Sequence, residues 1–290
     1  MSSANLGGIK VGAGFPTRVI GAVNISPESF YKGSVHTTRA EIEQTVSRMA
    51  EEGAHVIDLG GMSTAPYLQT QVPMEEERRR LTDAVALVKQ HTSLPISADT
   101  RRSEVAEAAI NAGASILNDT SGLRYDPGLA KVAKEYNLPI IILASEEGLL
   151  SVPSTDAVIS RVSNALKESL ELAYKAGLTE DLVLDPAIGF FRGKGTEVEL
   201  TDSKVPWYVW DSKVLKDLEF LSELGRPICV GLSRKSFIGK ILDLPDPGDR
   251  LYGSLAATAI AVFHGAHLIR THDVAATVQV IKVAEAIRGK

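Results

Sequence analysis

Short apolar runs recur along the chain at 18–23 (RVIGAV), 55–59 (HVIDL), 94–98 (LPISA), 115–118 (SILN), 138–144 (LPIIILA), 182–185 (LVLD), 226–231 (RPICVG) and 267–270 (HLIR). These runs are largely apolar at consecutive positions, so each expects cover on both faces. Amphipathic stretches separate them. Ile42, Val46 and Met49 share one helical face, Leu81, Val85 and Val88 another, and Val278, Ile281 and Ile287 are read as a third. Strands buried on both sides and alternating with helices form a parallel sheet wrapped in helices. Eight such units predict a single-domain (βα)8 TIM barrel, with a doubly wound open sheet as the structural rival.

An internal repeat favours the barrel. "EGAHVIDLG", "NAGASILND" and "HGAHLIRTHD" each run small residue, Gly-Ala, apolar strand, polar residue. The glycine suits a helix C-terminus, where positive φ is needed. The polar residue then falls at the C-terminal end of the strand, which in barrels is the catalytic face. Asn24, Asp58, Asp99, Asn118, Asp185, Lys235, Arg270 and His272 converge on that rim. Each alone reads equally well as a loop residue or helix cap; Asp99, before "TRRSEVAEAAI", is an example. The set is more specific than its members.

Residues 1–16 are small and polar and are expected to form a mobile lead-in, leaving 17–290 as the barrel. The segment 192–210, "RGKGTEVELTDSKVPWYVW", interrupts the pattern and carries both tryptophans. It reads as a surface insertion anchored by its aromatics, or as a lid over the rim. The net charge of −5 argues against a nucleic-acid surface, so an anionic ligand needs clustered cations. The one cysteine, Cys229, lies in an apolar run, which predicts a buried thiol and excludes an intrachain disulfide or a Cys-rich zinc site. With no signal peptide and no 18-residue apolar span, a soluble cytoplasmic protein is expected, without membrane or nucleic-acid partners.

The rim residues suit particular chemistry. Asp185 in "LDPAIGF" can accept two parallel N–H donors, the pattern offered by amino-amidine edges, and Asn118 can both donate and accept. Lys235 in "GLSRKSFIG" brings a cation for a ring carbonyl or nitrogen. With a second aspartate around the same cavity, these fit a flat polar heterocycle better than a metal cage. In "RTHDV", Arg270 and His272 precede a helix, where barrels often bind phosphate. Asn24 offers an oxygen to Mg²⁺, which prefers substrate phosphates to all-protein cages. No phosphate-binding P-loop, dinucleotide GxGxxG turn or GxSxG elbow is present. The loop "GGMSTAPY" at 60–67 looks built to meet a ligand yet carries no charge.

"AVNISPESF", "IDLGGMSTAP", "ISADT", "ILNDTSG", "DPAIGF", "GLSRKSFIG" and "RTHDV" occur in the order found in dihydropteroate synthases, and the chain resembles that family from about residue 18 to residue 275. The resemblance implies condensation of 6-hydroxymethyl-7,8-dihydropterin diphosphate with p-aminobenzoate or a related arylamine, with release of pyrophosphate. It implies that Asp99, Asn118, Asp185 and Lys235 hold the pterin, with Asp58 nearby. Asn24, Arg270 and His272 would hold pyrophosphate beside Mg²⁺. Phe30, Thr64, Pro66, Phe190 and Ser236 would shape the arylamine pocket. It also implies a homodimer formed through helices.

Three positions depart from the family pattern. Ser63-Thr64-Ala65-Pro66 stands where the family has S-T-R-P, so the arginine is lost. Ser29-Phe30-Tyr31-Lys32-Gly33 stands where it has S-F-S-D-G, so an acid has become Lys32. The fifth barrel strand ends Leu143-Ala144-Ser145 instead of Met-His. The paired loop changes suggest that Lys32 supplies a pyrophosphate-binding cation that Ala65 cannot. They also keep open a methyl-tetrahydropterin-dependent methyltransferase and a non-catalytic pterin-binding protein.

Overall fold

The computed structural model describes residues 3–26, 33, 35–36, 38–62, 72–145, 157–191 and 205–289. The chain opens with an antiparallel hairpin, β1 (Ser3–Leu6) and β2 (Ile9–Gly12). Eight parallel strands follow: β3 (Arg18–Asn24), β4 (Val56–Gly60), β5 (Ile96–Asp99), β6 (Ile116–Asp119), β7 (Ile140–Leu143), β8 (Leu182–Asp185), β9 (Cys229–Gly231) and β10 (Leu268–Thr271). Their order is β8-β7-β6-β5-β4-β3-β10-β9. The two ends meet at a parallel bridge between Leu184 and Ile228, where the Leu184 amide donates to the Pro227 carbonyl at 2.9 Å. The sheet therefore closes on itself as the expected barrel, and the open-sheet alternative is set aside.

Helices α1 (Arg39–Glu51), α2 (Met74–His91), α3 (Ser103–Ala112), α4 (Gly128–Glu135), α5 (Val158–Lys175), α6 (Trp207–Lys216), α7 (Ser236–Leu242), α8 (Leu251–Phe263) and α9 (Val274–Arg288) surround it. Two 3₁₀ turns, Leu218–Leu224 and Pro247–Arg250, lie among them. The repeated Gly-Ala has one local cause. Gly53, Gly113 and Gly265 have φ of 100°, 122° and 95°, and the amide of the following alanine reaches back to Met49, Ala109 and Ala261. This closes each helix with a left-handed residue and feeds the next strand.

Inside the barrel the period of two separates floor from site. Val56, Ile116, Val183 and Leu268 lie in one buried apolar cluster with Ile20, Ile141 and Cys229. Two residues further along the same strands stand Asp58, Asn118, Asp185 and Arg270. Leu6 and Val11 of the hairpin are fully buried in the same floor cluster. Residues 3–12 are thus a plug under the barrel, which corrects the expected mobile lead-in; their buried apolar positions are too few for a strand-like pattern to be visible in so short a segment.

Ile42, Val46, Met49, Leu81, Val85 and Val88 are buried as expected, and Val278 and Ile281 pack inward. Ile287 does not; its side chain is 71% exposed. Six residues of helix rotate it about 120° away from Ile281.

Candidate functional site

The site lies at the C-terminal mouth of the barrel, on the inward register just above the floor. Asp58 on β4 is fully buried. Arg270 on β10 donates through Nε to Asp58 Oδ2 at 2.7 Å and through Nη2 to Asp99 Oδ2 at 3.1 Å. The Asn118 amide lies 3.3 Å from both oxygens of Asp58. The resemblance implied a place for Asp58 beside the pterin; in the structure its oxygens are engaged with Arg270 and Asn118.

Two buried carboxylates here share one guanidinium, so one negative charge is in excess. Burial, reinforced by the Asp58 charge and opposed by Arg270, pushes the Asp99 carboxyl well above the usual carboxylate range. Asp99 has the longer bond to Arg270, and its buried Oδ1 has no hydrogen-bond partner among the described residues. Burial works against the Arg270 charge, but Asp58 and Asp99 outweigh it and hold the guanidinium protonated.

Gly60 ends β4 between two of these groups. A Cβ there would sit 3.6 Å from Asp99 Oδ2 and 3.8 Å from Asn24 Oδ1. Glycine therefore leaves a gap flanked by a carboxylate and an amide oxygen. Asn24 closes β3, and its carbonyl accepts from the His36 amide.

Across the mouth, Asp185 ends β8. Burial lifts its carboxyl to about 6, against the Ala187 amide, which donates to it at 2.7 Å, and against the charges of Lys235 and Arg270. The turn behind it is tight. Ala187 has φ 61°, which costs a non-glycine residue roughly 1–2 kcal/mol. Gly189 has φ 82°, and a Cβ there would meet Lys235 Cδ at 2.8 Å. The lysine stem crosses the glycine, and its ammonium lies 4.2 Å from the Phe190 ring centroid. "DPAIGF" and "SRKSF", distant in sequence, thus meet in space. Lys235 is also the cap residue before α7, and Ser236 is that helix's first residue.

His272 follows β10. Its Nδ1 lies 3.0 Å from the Ala22 carbonyl oxygen, which can only accept, so Nδ1 carries the proton of the neutral ring. Burial and then the Arg270 charge pull the imidazole down to about 4. At neutral pH it contributes a neutral acceptor at Nε2, while Arg270 carries the positive charge. Cys229 is buried in the floor, as expected, where desolvation pushes its thiol up.

Phe30, Lys32, Thr64 and Pro66, with Ala65, lie outside the described residues. So do 192–204 of the segment expected to be an insertion or a lid. Its two tryptophans lie on α6. Trp210 is buried and packs edge-on against Phe191 at 6.3 Å, and Trp207 is partly buried against the core, consistent with anchoring by aromatics. The β7 wall of the mouth is Leu143, buried opposite Asp185 in the strand register.

Several supporting residues escaped the sequence reading. Asp211 on α6 accepts the Gly189 amide at 2.9 Å and is fully buried. Glu77 on α2, also fully buried, accepts from Thr100 at 2.6 Å and Arg102 at 2.7 Å, fixing the turn after β5. Asp119 accepts the backbone amides of Ser121 and Leu123, closing the turn after β6. No sequence spacing marks Asp211 or Glu77, whereas Asp119 carries the Asx-turn signature of an aspartate followed by small polar residues.

Among the described residues no group of three or more His, Cys, Asp or Glu side chains is arranged to hold a metal ion. No helix is long and apolar enough to cross a membrane.

Residues 20–272 match the model of the family described as pterin binding enzyme. A dihydropteroate synthase of Synechocystis is 37% identical over 275 residues, covering 93% of this chain and 90% of that protein. The dihydropteroate synthase of Escherichia coli is 34% identical and covers 92% and 90%. The structure of Xanthomonas albilineans dihydropteroate synthase with 4-aminobenzoic acid superposes with a TM-score of 0.83 at 36% identity, covering 99% of this chain and 98% of that one. The same enzyme in complex with 7,8-dihydropteroate gives 0.79 at 34% identity, with 99% of each chain covered. The matched span runs from within β3 past the end of β10 and includes the mouth from Asn24 to His272: the chain belongs to the pterin-binding enzyme family.

Proposed function

We propose that this protein is a dihydropteroate synthase, a transferase that joins 6-hydroxymethyl-7,8-dihydropterin diphosphate to p-aminobenzoate or a related arylamine and releases pyrophosphate. One observation carries the reading: Asp58, Asp99, Asn118, Asp185 and Arg270 lie on the inward register of one barrel mouth, above a closed apolar floor. Relatives of this size and fold are named for that reaction, and one is solved with 7,8-dihydropteroate.

Asp185 and Asn118 take the amino-amidine edge of the pterin, and Lys235 takes a ring oxygen or nitrogen. The C–O bond to the diphosphate breaks, and the leaving group keeps the electron pair. Arg270 and the amide of Asn24 face the departing pyrophosphate, and His272 receives its acidic oxygen. The arylamine lone pair then forms the C–N bond, and its proton passes to the pyrophosphate or to water. An arylamine is neutral near pH 7, so no strong base is required. A field of preorganised charges is the largest contribution that such a site can make.

Asn24 Oδ1, beside Gly60, would offer an oxygen to Mg²⁺, which binds oxygen and substrate phosphates. When bound there it would neutralise diphosphate charge. Lys32 is the cation that replaces the arginine lost at Ala65; as a point charge it orients less strictly than a guanidinium fork. Lys32→Ala then raises KM for the diphosphate substrate, and unchanged kinetics would exclude this role.

The protein partner in this reading is a second copy of the chain. Ile260, Phe263, Val283 and Ile287 are all about half or more exposed and line an apolar groove of about 580 Å³ between α8 and α9. An adjoining groove of about 540 Å³ between α7 and α8 shares Ala256, Ile260 and His264. Helix α8 also buries Ala257, Ala261 and Val262 inward, so it is apolar on both sides. Such a helix expects cover all round, and a twofold pairing lays one patch on itself.

The deciding assay incubates the protein with the pterin diphosphate, p-aminobenzoate and Mg²⁺ and measures pyrophosphate. Release that depends on the arylamine supports the synthase. Pterin binding without release would reject it.

A further inference from the structure

Two motif residues have no task in the reaction described above: Arg234, inside "SRKS", and Asp273, which ends "RTHD". Arg234 Nε and Nη2 lie 3.0 and 2.9 Å from Asp273 Oδ2 and Oδ1, a two-point fork between the turn after β9 and the turn after β10. Arg234 Nη1 donates to the carbonyls of Pro247 at 3.0 Å and Gly248 at 2.5 Å. Its amide donates to Ser254 Oγ at 2.8 Å, and its carbonyl accepts from Arg250 at 3.2 Å. The residue sits at φ 55°, a left-handed conformation that a non-glycine side chain adopts only when its surroundings hold it there. Its side chain is 8% exposed and that of Asp273 22%.

The neighbours of the fork matter more than the fork. Lys235, the next residue, lies over Phe190. His272, the residue before Asp273, bonds Ala22. Ser233 joins both turns, donating to Asp273 Oδ2 at 3.3 Å and accepting the His272 amide at 3.4 Å. Each partner of the fork is therefore one residue from a group assigned to a different half of the substrate.

We infer that the Arg234–Asp273 fork is a positioning pair that sets the distance between the pterin-side cation, Lys235, and the leaving-group side, His272 and Arg270. The inference rests on the proposed synthase reaction. A planar guanidinium holding a carboxylate at two points fixes angle as well as distance, which a lysine at the same place does not. Both half-sites stay intact when the fork is lost; what changes is their relative placement, and a displacement of this kind lowers turnover more than it lowers affinity for either half.

The experiment uses Arg234→Lys, Asp273→Asn and the double variant of the full-length protein, each normalised to its folded fraction from a thermal melt. kcat for pyrophosphate release is measured, together with calorimetric affinity for the diphosphate-free pterin, 6-hydroxymethyl-7,8-dihydropterin. Each single variant is expected to lose on the order of 10- to 100-fold in kcat. Pterin affinity is expected to stay within about 3-fold, and the double variant to be no worse than the poorer single one, because the pair acts as a unit. Turnover per folded molecule equal to the parent overturns the inference, as does pterin affinity falling in step with kcat, or effects that multiply in the double variant. A parent protein that releases no pyrophosphate would sink the synthase reading and the inference with it; an active parent with unaffected variants sinks the inference alone.

Discussion

His272 illustrates how a single ring is set by two neighbours. The Ala22 carbonyl fixes which nitrogen carries the proton, while burial and Arg270 keep the second proton off until about pH 4. A histidine ordinarily titrates near 6.5, so between those values the unfolded chain binds more protons than the folded one. Stability contributed by the neutral ring is present above pH 6.5 and is lost as pH falls toward 4. Asp185 acts with the opposite sign: its folded carboxyl is raised to about 6, so its contribution favours the folded state at low pH and is lost as pH rises from the ordinary carboxylate range through 6. The two windows overlap and partly cancel in the parent protein. Replacing His272 by Gln removes one of them. Denaturant titrations at pH 7 and pH 5 should show His272→Gln losing less stability on acidification than the parent, by at most about 1.4 kcal/mol per pH unit crossed below the ordinary histidine value. Equal losses in the two proteins would mean that His272 is not buried neutral. At this scale the residue types were legible from their places at strand ends, but their pairings were not. Nothing in the order Asp58, Asp99, Asn118, Arg270 says that the arginine bridges the two carboxylates, because those partners are separated by 171 and 212 positions.

At the scale of elements, the local rules carried furthest. The glycine that ends each of three helices with positive φ, and the alanine amide that reaches back behind it, follow from the Gly-Ala repeat alone. Where the expected pattern failed, the reason is geometric. Ile287 shares the apolar pattern of Ile281, yet six helical residues turn it away from the barrel and onto the outer apolar groove. The hairpin of residues 3–12 is not legible in the sequence because its two fully buried side chains, Leu6 and Val11, acquire their partners only from the floors of seven different strands. That dependence can be measured. Leu6→Ala removes a fully buried side chain from the plug and should cost about 2–5 kcal/mol in chemical denaturation. A loss below about 0.5 kcal/mol would mean that the hairpin does not seal the barrel.

Across the whole molecule, the outer wall of α8 and α9 leaves Ile260, Phe263, Val283 and Ile287 exposed in one patch. Sedimentation of the parent protein should give a dimer, and Ile260→Asp with Val283→Asp should give a folded monomer with an unchanged circular dichroism spectrum. A parent that sediments as a monomer at micromolar concentration would remove the homodimer proposal. The sequence by itself determined the number and type of the barrel units, their helix stops, and which residue types stand at the mouth, since each depends on contacts within about one element and on a period of two or 3.6. Only the tertiary structure decided that the sheet closes between Leu184 and Ile228. It also decided that Asp58 holds both Arg270 and Asn118, that Lys235 rests across Gly189, and that Arg234 grips Asp273. Those contacts join residues brought together by barrel closure, and their energies depend on burial that no single element possesses before the barrel has formed.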